Sequence, residues 1–232
     1  MARRTSSRTQ LRLLGSLGLA ALLAGLFAWW HLHHWQPDRR AFPVQGVEVS
    51  EEDGEVDMKA VKAIGADFAY LDASAGAFAR DPGFTNNLEA SRAAKLQVGA
   101  VHRYDPCQPA DKQAANFVTI VPRDAVLLPP AVELDRLGDD CPVKTGEAKV
   151  ESELTTFLNE VEAHTGKPAL LKVSRTFEKR YAIAAKVGRN LWLTRERFQP
   201  DYAGRPWTLL TANRHLETEA GDRPLRWVVL QP

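Results

Sequence analysis

"DFAYLDASAGAFARDPGFTNNLEASRAAKLQVGAVHRY", residues 67–104, holds a strand, a helix and a second strand in that order. "DFAYLDA" (67–73) is an apolar run of strand length. "GFTNNLEASRAAKLQ" (83–97) reads as a helix, and "VGAVHRY" (98–104) is again a strand. The alternation continues in both directions. Before this unit stand the strand "VQGVEV" (44–49) and the helix "DMKAVKAIG" (57–65). After it come the helix "ADKQAANFVTIV" (110–121), the strand "AVLLPPAVELD" (125–135) and the helix "VESELTTFLNEVEAHTGK" (150–167). The last of these places Leu154, Phe157, Leu158 and Val161 on one face and ends at Gly166. A fifth unit pairs "PALLKVS" (168–174) with "TFEKRYAIAAKVG" (176–188). The pattern then changes to three apolar runs, "NLWLT", "WTLLTA" and "LRWVVLQ", too close together for long helices.

Strands that alternate with helices pack as a parallel sheet. Their continuous apolar character fits a sheet covered on both faces. Five strand–helix units and three trailing strands predict an α/β fold, a TIM-like β/α barrel over residues 44–232. That length is short for such a barrel, and an open doubly wound sheet is the rival arrangement.

Charge is distributed unevenly. The whole chain carries +1, but residues 1–40 hold six arginines against Asp38 alone, which leaves −4 for the rest. Nothing in that balance suggests a nucleic-acid partner. The basic start flanks "LLGSLGLAALLAGLFAWW" (13–30), an uncharged apolar run near the lower limit for a membrane-spanning helix. Arginines before it and Trp29, Trp30 and Trp35 at its end match a positive-inside helix with an interfacial aromatic belt. The expected organisation is a cytoplasmic basic tail (1–12), an uncleaved signal anchor (13–35), a linker (36–43) and an external barrel domain. A cleavable signal peptide is the competing reading, but the bulky "LFAWWHLHHW" lacks the small residues a cleavage site needs. His31, His33 and His34 read as interfacial polar residues rather than metal ligands. The chain has two cysteines, Cys107 and Cys141; in an exported domain they read as one disulfide, with two independent buried thiols as the alternative.

In barrels and open α/β sheets the chemistry sits at the carboxyl ends of the strands. Those ends carry Glu48, Asp72, His102, Glu133 with Asp135, and Lys172. Glu133 and Asp135 alternate along one strand and are expected on one face. Acids crowded at a barrel mouth push at least one carboxyl pKa upward, and a protonated carboxyl beside an ionised one is what glycoside hydrolysis uses. No phosphate-binding glycine loop, nucleophile elbow or calcium loop is present, and the body's three histidines are scattered, so no metal or cofactor is expected.

"GVEVS" (46–50), the long run through "FAYLDASAGAF" and "DPGFTNN" to "VGAVH" (68–102), "QAANF" followed by "LLPPAVELD", and "NLWLT" resemble glycoside hydrolase family 25. These are the Chalaropsis-type lysozymes, muramidases that cut peptidoglycan. The resemblance spans roughly residues 44–215 and implies a barrel of five strand–helix units and three trailing strands. It is strongest toward the proteobacterial branch, in which one cysteine follows the third strand and another the acidic motif; this implies a Cys107–Cys141 disulfide. It also implies Glu48, Glu133 and Asp135 as catalytic carboxylates, with Asp72, His102 and Lys172 as substrate-binding neighbours. Several positions depart from the family pattern. Glu48 replaces an Asp, and the motif Asp-x-Glu, whose Glu is the family's proton donor, is reversed to Glu133-x-Asp135. Asp72 replaces a Lys, Ala75 a Glu and Lys172 a Tyr, while "EED" (51–53) stands for a His-Tyr-Gln. A Trp-Gln pair falls at Leu210 and Thr211, and a closing Asp-x-Asn has no counterpart around "LRWVVLQP". Two functions follow as expectations: a membrane-anchored muramidase with altered carboxylates, or a catalytically inactive relative that binds peptidoglycan or scaffolds the envelope. Both place the domain in the periplasm, on glycan strands, with the inner membrane as second partner.

Overall fold

The computed structural model describes residues 7–195 and 197–232. Arg3 and Arg4 of the expected basic tail lie outside the described residues. The chain divides into two units between Trp35 and Gln36. In the first, helix α1 (Ser7–His33) begins inside the expected tail and ends just short of the expected span. Its segment Leu14–His33, 20 residues with mean hydropathy 1.4, is long and apolar enough to cross a membrane, a profile that signal sequences share. His33 and His34 turn back onto the helix and donate from Nδ1 to the carbonyls of Trp29 and Trp30, at 2.8 and 3.0 Å.

The second unit is the expected barrel. Its strands are β1 (Gln45–Val49), β2 (Phe68–Ala75), the two-residue β3 (Ala79–Arg80), β4 (Gln97–Arg103), β5 (Ala131–Leu134), β6 (Leu170–Val173), β7 (Asn190–Thr194), β8 (Leu209–Leu216) and β9 (Leu225–Leu230). Neighbours follow the order β1-β9-β8-β7-β6-β5-β4-β2-β3, and a β1–β2 pairing closes the ring of eight, with β3 as a flap on β2. Within the ring of eight, pairing is parallel except at β9, which returns antiparallel to both β8 and β1; the flap β3 is also antiparallel to β2.

The helices that cover the ring are α2 (Met58–Ala63), α3 (Phe84–Ala93), α4 (Ala110–Ile120), α5 (Glu147–Thr165), α6 (Arg175–Tyr181) and α7 (Ile183–Lys186). Asp57 caps α2 by accepting from the backbone N–H groups of Lys59 and Ala60. Helix α5 buries Val150, Leu154, Phe157, Leu158 and Val161, each worth roughly 2 kcal/mol before chain entropy is subtracted. Gly166, at φ 69°, ends it in the left-handed conformation that favours glycine. The single helix expected over 176–188 is broken at Ala182, whose φ of 48° separates α6 from α7. Residues 36–43, expected as a linker, are packed against the barrel instead. Gln45 donates to the carbonyls of Pro37 and Phe42, and the Phe42 ring lies 6.2 Å from that of Trp207.

Inside the ring one layer is wholly apolar: Phe68, Tyr70, Val101, Ala131, Leu170, Trp192, Leu209 and Val228. Two aromatics from successive inward positions on β2, Phe68 and Tyr70, fit only because the neighbouring strands are bare opposite them. A Cβ on Gly99 would stand 2.2 Å from the Tyr70 ring, and one on Gly46 2.5 Å from that of Phe68. The Tyr70 hydroxyl donates to the carbonyl of Pro129, in the Pro-Pro step that precedes β5.

Candidate active site

The composition of the barrel mouth follows from strand periodicity. Side chains alternate, so the next inward position lies two residues further along each parallel strand. From Tyr70, Val101, Ala131, Leu170, Trp192 and Leu209 this step leads to Asp72, Arg103, Glu133, Lys172, Thr194 and Thr211. On β1 it leads from Gly46 to Glu48. On β9 the direction reverses, and two residues before Val228 stands Arg226, directly opposite Glu48 in the register. Three acids and three bases thus form one layer, which floors a cleft of about 720 Å³.

These charges are paired with one another. The Lys172 ammonium donates to Glu48 Oε1 and lies 2.7 Å from Glu133 Oε1. It also sits 5.3 Å from the centre of the Trp192 ring beneath it. Arg103 Nε donates to Asp72 Oδ2 at 2.7 Å and stands 3.9 Å from Glu133 Oε2, while its Nη1 reaches Glu52 at 3.3 Å. Arg226 binds Asp53 at 2.7 Å and the Ser50 hydroxyl at 2.9 Å through Nη2, with Nε 3.5 Å from Glu48 Oε2. Glu48, Asp72 and Lys172 are buried, and Glu48 Oε2 and Asp72 Oδ1 make no hydrogen bond.

The layer separates its carboxyl groups electrostatically. Burial raises the Asp72 carboxyl to about 7, helped by the nearby Glu48 carboxylate and opposed by Lys172 and Arg103. Burial would raise Glu133 too, but Lys172, Arg103 and Arg226 outweigh it and hold Glu133 below the ordinary carboxylate range. Burial likewise disfavours the Lys172 ammonium, yet Glu48, Glu133 and Asp72 together keep it protonated well above neutrality.

Four of the residues expected at the site meet there: Glu48, Asp72, Glu133 and Lys172. Asp135 also lines the cleft, at its exposed rim beyond the end of β5, and has no hydrogen bond or ion pair to any described residue. His102 is not in the cleft. It faces the helix layer, with its ring 4.6 Å from that of Phe157 and its nitrogens bonded to Ser74 Oγ (2.8 Å) and Gln113 Oε1 (3.3 Å). Burial lowers its pKa to about 4 and keeps it neutral. Period-2 parity explains the correction: Val101 points inward, so His102 points out and Arg103 in. The cysteines form the disulfide, with Cα atoms 5.3 Å apart, tying the loop after β4 to the loop after β5 on the mouth side.

Arg103, Arg226 and Tyr202 were not among the expected site residues. Parity from Val101 points to Arg103. Arg226 becomes visible only once β9 is known to run backward, which brings its amino end to the mouth. Tyr202 lies in the long connection between β7 and β8, which has no periodic pattern. Its hydroxyl donates to the Val173 carbonyl at 2.9 Å and accepts from the Thr194 N–H, and its ring carries the Arg175 guanidinium at 4.9 Å.

One ammonium touching both Glu48 and Glu133 keeps one oxygen of each no further apart than the ~5 Å typical of a retaining glycosidase pair. The same ammonium occupies the space between them. A glycosidase transition state develops positive charge at the sugar's anomeric carbon, and a fixed cation there opposes it.

Comparison with known proteins agrees with this fold. The model for glycosyl hydrolases family 25 matches residues 47–215. A family 25 glycosyl hydrolase from Bacillus anthracis superposes with TM-score 0.77 at 23% identity, over 87% of this chain and 94% of that one. The bacterial lysozyme of Streptomyces coelicolor gives 0.71 at 19%, over 82% and 92%. A family GH25 lysozyme from Aspergillus fumigatus gives 0.68 at 18%, over 82% and 94%. The uncharacterized protein YegX of Escherichia coli K12 is 25% identical over 174 residues, 72% of this chain but 62% of that protein's length. With the family model spanning most of the barrel, this chain belongs to glycosyl hydrolases family 25.

Proposed function

We propose that the protein engages peptidoglycan glycan strands in its barrel cleft and holds them without efficient cleavage. The observation that carries this reading is the Lys172 ammonium shared by Glu48 and Glu133. It keeps Glu133 ionised, and therefore unable to donate a proton, and it sets a cation where the reaction needs negative potential. Charged and hydroxyl-bearing side chains line the cleft, and Tyr104 and Tyr202 stand among them beside hydrogen-bonding groups suited to sugar hydroxyls. Purified 36–232 should co-sediment with peptidoglycan sacculi, and Ala75→Trp, which fills the cleft, should abolish retention. Retention unaffected by Ala75→Trp would place binding elsewhere and sink the reading.

A second reading, a working muramidase, is favoured by one observation. Asp135 stands at the family's proton-donor position, and it is the cleft carboxylate with no internal partner among the described residues. That reading requires release of reducing ends from sacculi and its loss in Asp135→Asn. In either case we place the barrel in the periplasm, held at the inner membrane by α1. The apolar helix, its terminal tryptophans and a disulfide that needs an oxidising compartment support this placement. Protease added to spheroplasts should remove the barrel domain and leave a membrane-bound stub.

A further inference from the structure

Among the described residues that line the cleft, one cation is unmatched. Lys172, Arg103, Arg226, Arg136 and Arg175 each face a carboxylate of the protein itself: Glu48 and Glu133, Asp72, Asp53, Asp105 and Asp201 respectively. Arg214 lines the same cleft from β8, is exposed, and has no hydrogen bond or ion pair to any described residue. The only unmatched acid of the cleft among the described residues is Asp135, beyond the end of β5, three strands round the ring. It forms no ion pair with Arg214.

We infer that Arg214 is the receptor for a carboxylate on the bound strand, and so selects charged muramyl strands over neutral glucosamine polymers. This rests on the proposal that the cleft binds peptidoglycan glycan. A guanidinium offers a planar fork of donors that matches a carboxylate at two points. Here no internal acid competes for that fork, while every other cation lining the cleft is committed. A strand of N-acetylglucosamine and N-acetylmuramic acid carries negative charge only as carboxylate. The source is the stem peptide, or the lactyl group of a muramyl residue whose stem has been removed. The chemistry is the same, and ligands bearing one or the other separate the two.

The test is calorimetric titration of the protein with three ligands of equal sugar length: a stem-bearing muropeptide oligomer, a stem-free oligomer with free lactyl groups, and a neutral chitooligosaccharide. Wild type should bind at least one carboxylate-bearing ligand about fivefold more tightly than the chitooligosaccharide, the range of a partly exposed ion pair. That margin should shrink on raising salt. Arg214→Gln should erase it and leave chitooligosaccharide affinity unchanged, while Arg214→Lys should restore part of it. Preference for the stem-bearing ligand alone assigns the carboxylate to the peptide; preference for the lactyl ligand assigns it to the sugar. Equal wild-type affinity for all three ligands overturns the inference, as does an equal loss for all three in Arg214→Gln. Binding of none overturns the glycan reading on which it rests.

Discussion

Replacing Lys172 by Met is the most informative single perturbation of the mouth. Lys172 is 9% exposed and touches two carboxylates, one of them on the fully enclosed Glu48. Met fills much of the volume but removes the charge, so Glu48 and Glu133 lose their shared cation and face each other in a low-dielectric layer. Removing one partner of a buried pair costs about 3–5 kcal/mol. For a domain of this size that lowers Tm by roughly 10 °C. The deficit depends on pH in a definite direction. In wild type the Glu133 carboxyl is held below its ordinary range, so the stability it contributes is present above that range and lost as pH falls through it. The variant lacks this contribution, and protonation relieves its unpaired carboxylates. The difference between the two proteins should therefore be largest near pH 7 and shrink toward pH 4. Urea denaturation at both pH values measures it. Adding Glu48→Gln and Glu133→Gln to the Met variant should recover most of the loss, because the uncompensated charge is then gone. A Lys172→Met protein as stable as wild type at pH 7, or a deficit that grows on acidification, would show that Lys172 does not neutralise the two carboxylates.

Three further outcomes follow from the same geometry. His102 titrates near 4 when folded against an ordinary 6.5, so it contributes stability that is lost as pH falls through that interval, roughly 3 kcal/mol in all. Asp72, raised to about 7, works oppositely and loses its contribution as pH rises through 7, so the His102 effect is read as the difference between wild type and His102→Gln denaturation curves. Replacing both Cys107 and Cys141 with Ser opens a loop of 34 residues and should cost about 3–4 kcal/mol in chemical denaturation. Gly99→Ala drives a methyl into the Tyr70 ring and should cost about 1–3 kcal/mol, whereas adding Tyr70→Leu should recover much of it.

The architecture was legible because it rests on periodicity. Apolar runs alternating with amphipathic segments give the five strand–helix units, and α5 shows the buried face its spacing predicts. Strand ends identified Glu48, Asp72, Glu133 and Lys172 because charge at the end of an apolar run is conspicuous. What sequence reading missed depends on pairing and parity. A bulge between Asp72 and Ser74 turns Ser74 outward to meet His102, so position counting along β2 loses the inward face at that point. Counting from the end of "VGAVHRY" rather than from Val101 mistakes His102 for the inward residue in place of Arg103. Arg226 requires the direction of the last strand, which a tight run of three strands does not fix. The consequence is chemical. Read without the two arginines, the mouth is an acid cluster with carboxyl groups free for catalysis; read with them, it is a neutral lattice of three acids and three bases.

What the cleft does to a bound glycan strand separates a holding domain from a working enzyme. Wild-type protein should be incubated with purified sacculi near neutral pH, with bound protein and new reducing ends measured in the same sample. Protein should be retained on the sacculi, with reducing ends no higher than in the buffer control. Reducing ends that accumulate with time, and disappear in Asp135→Asn, would contradict a holding role and establish the cleft as a working muramidase.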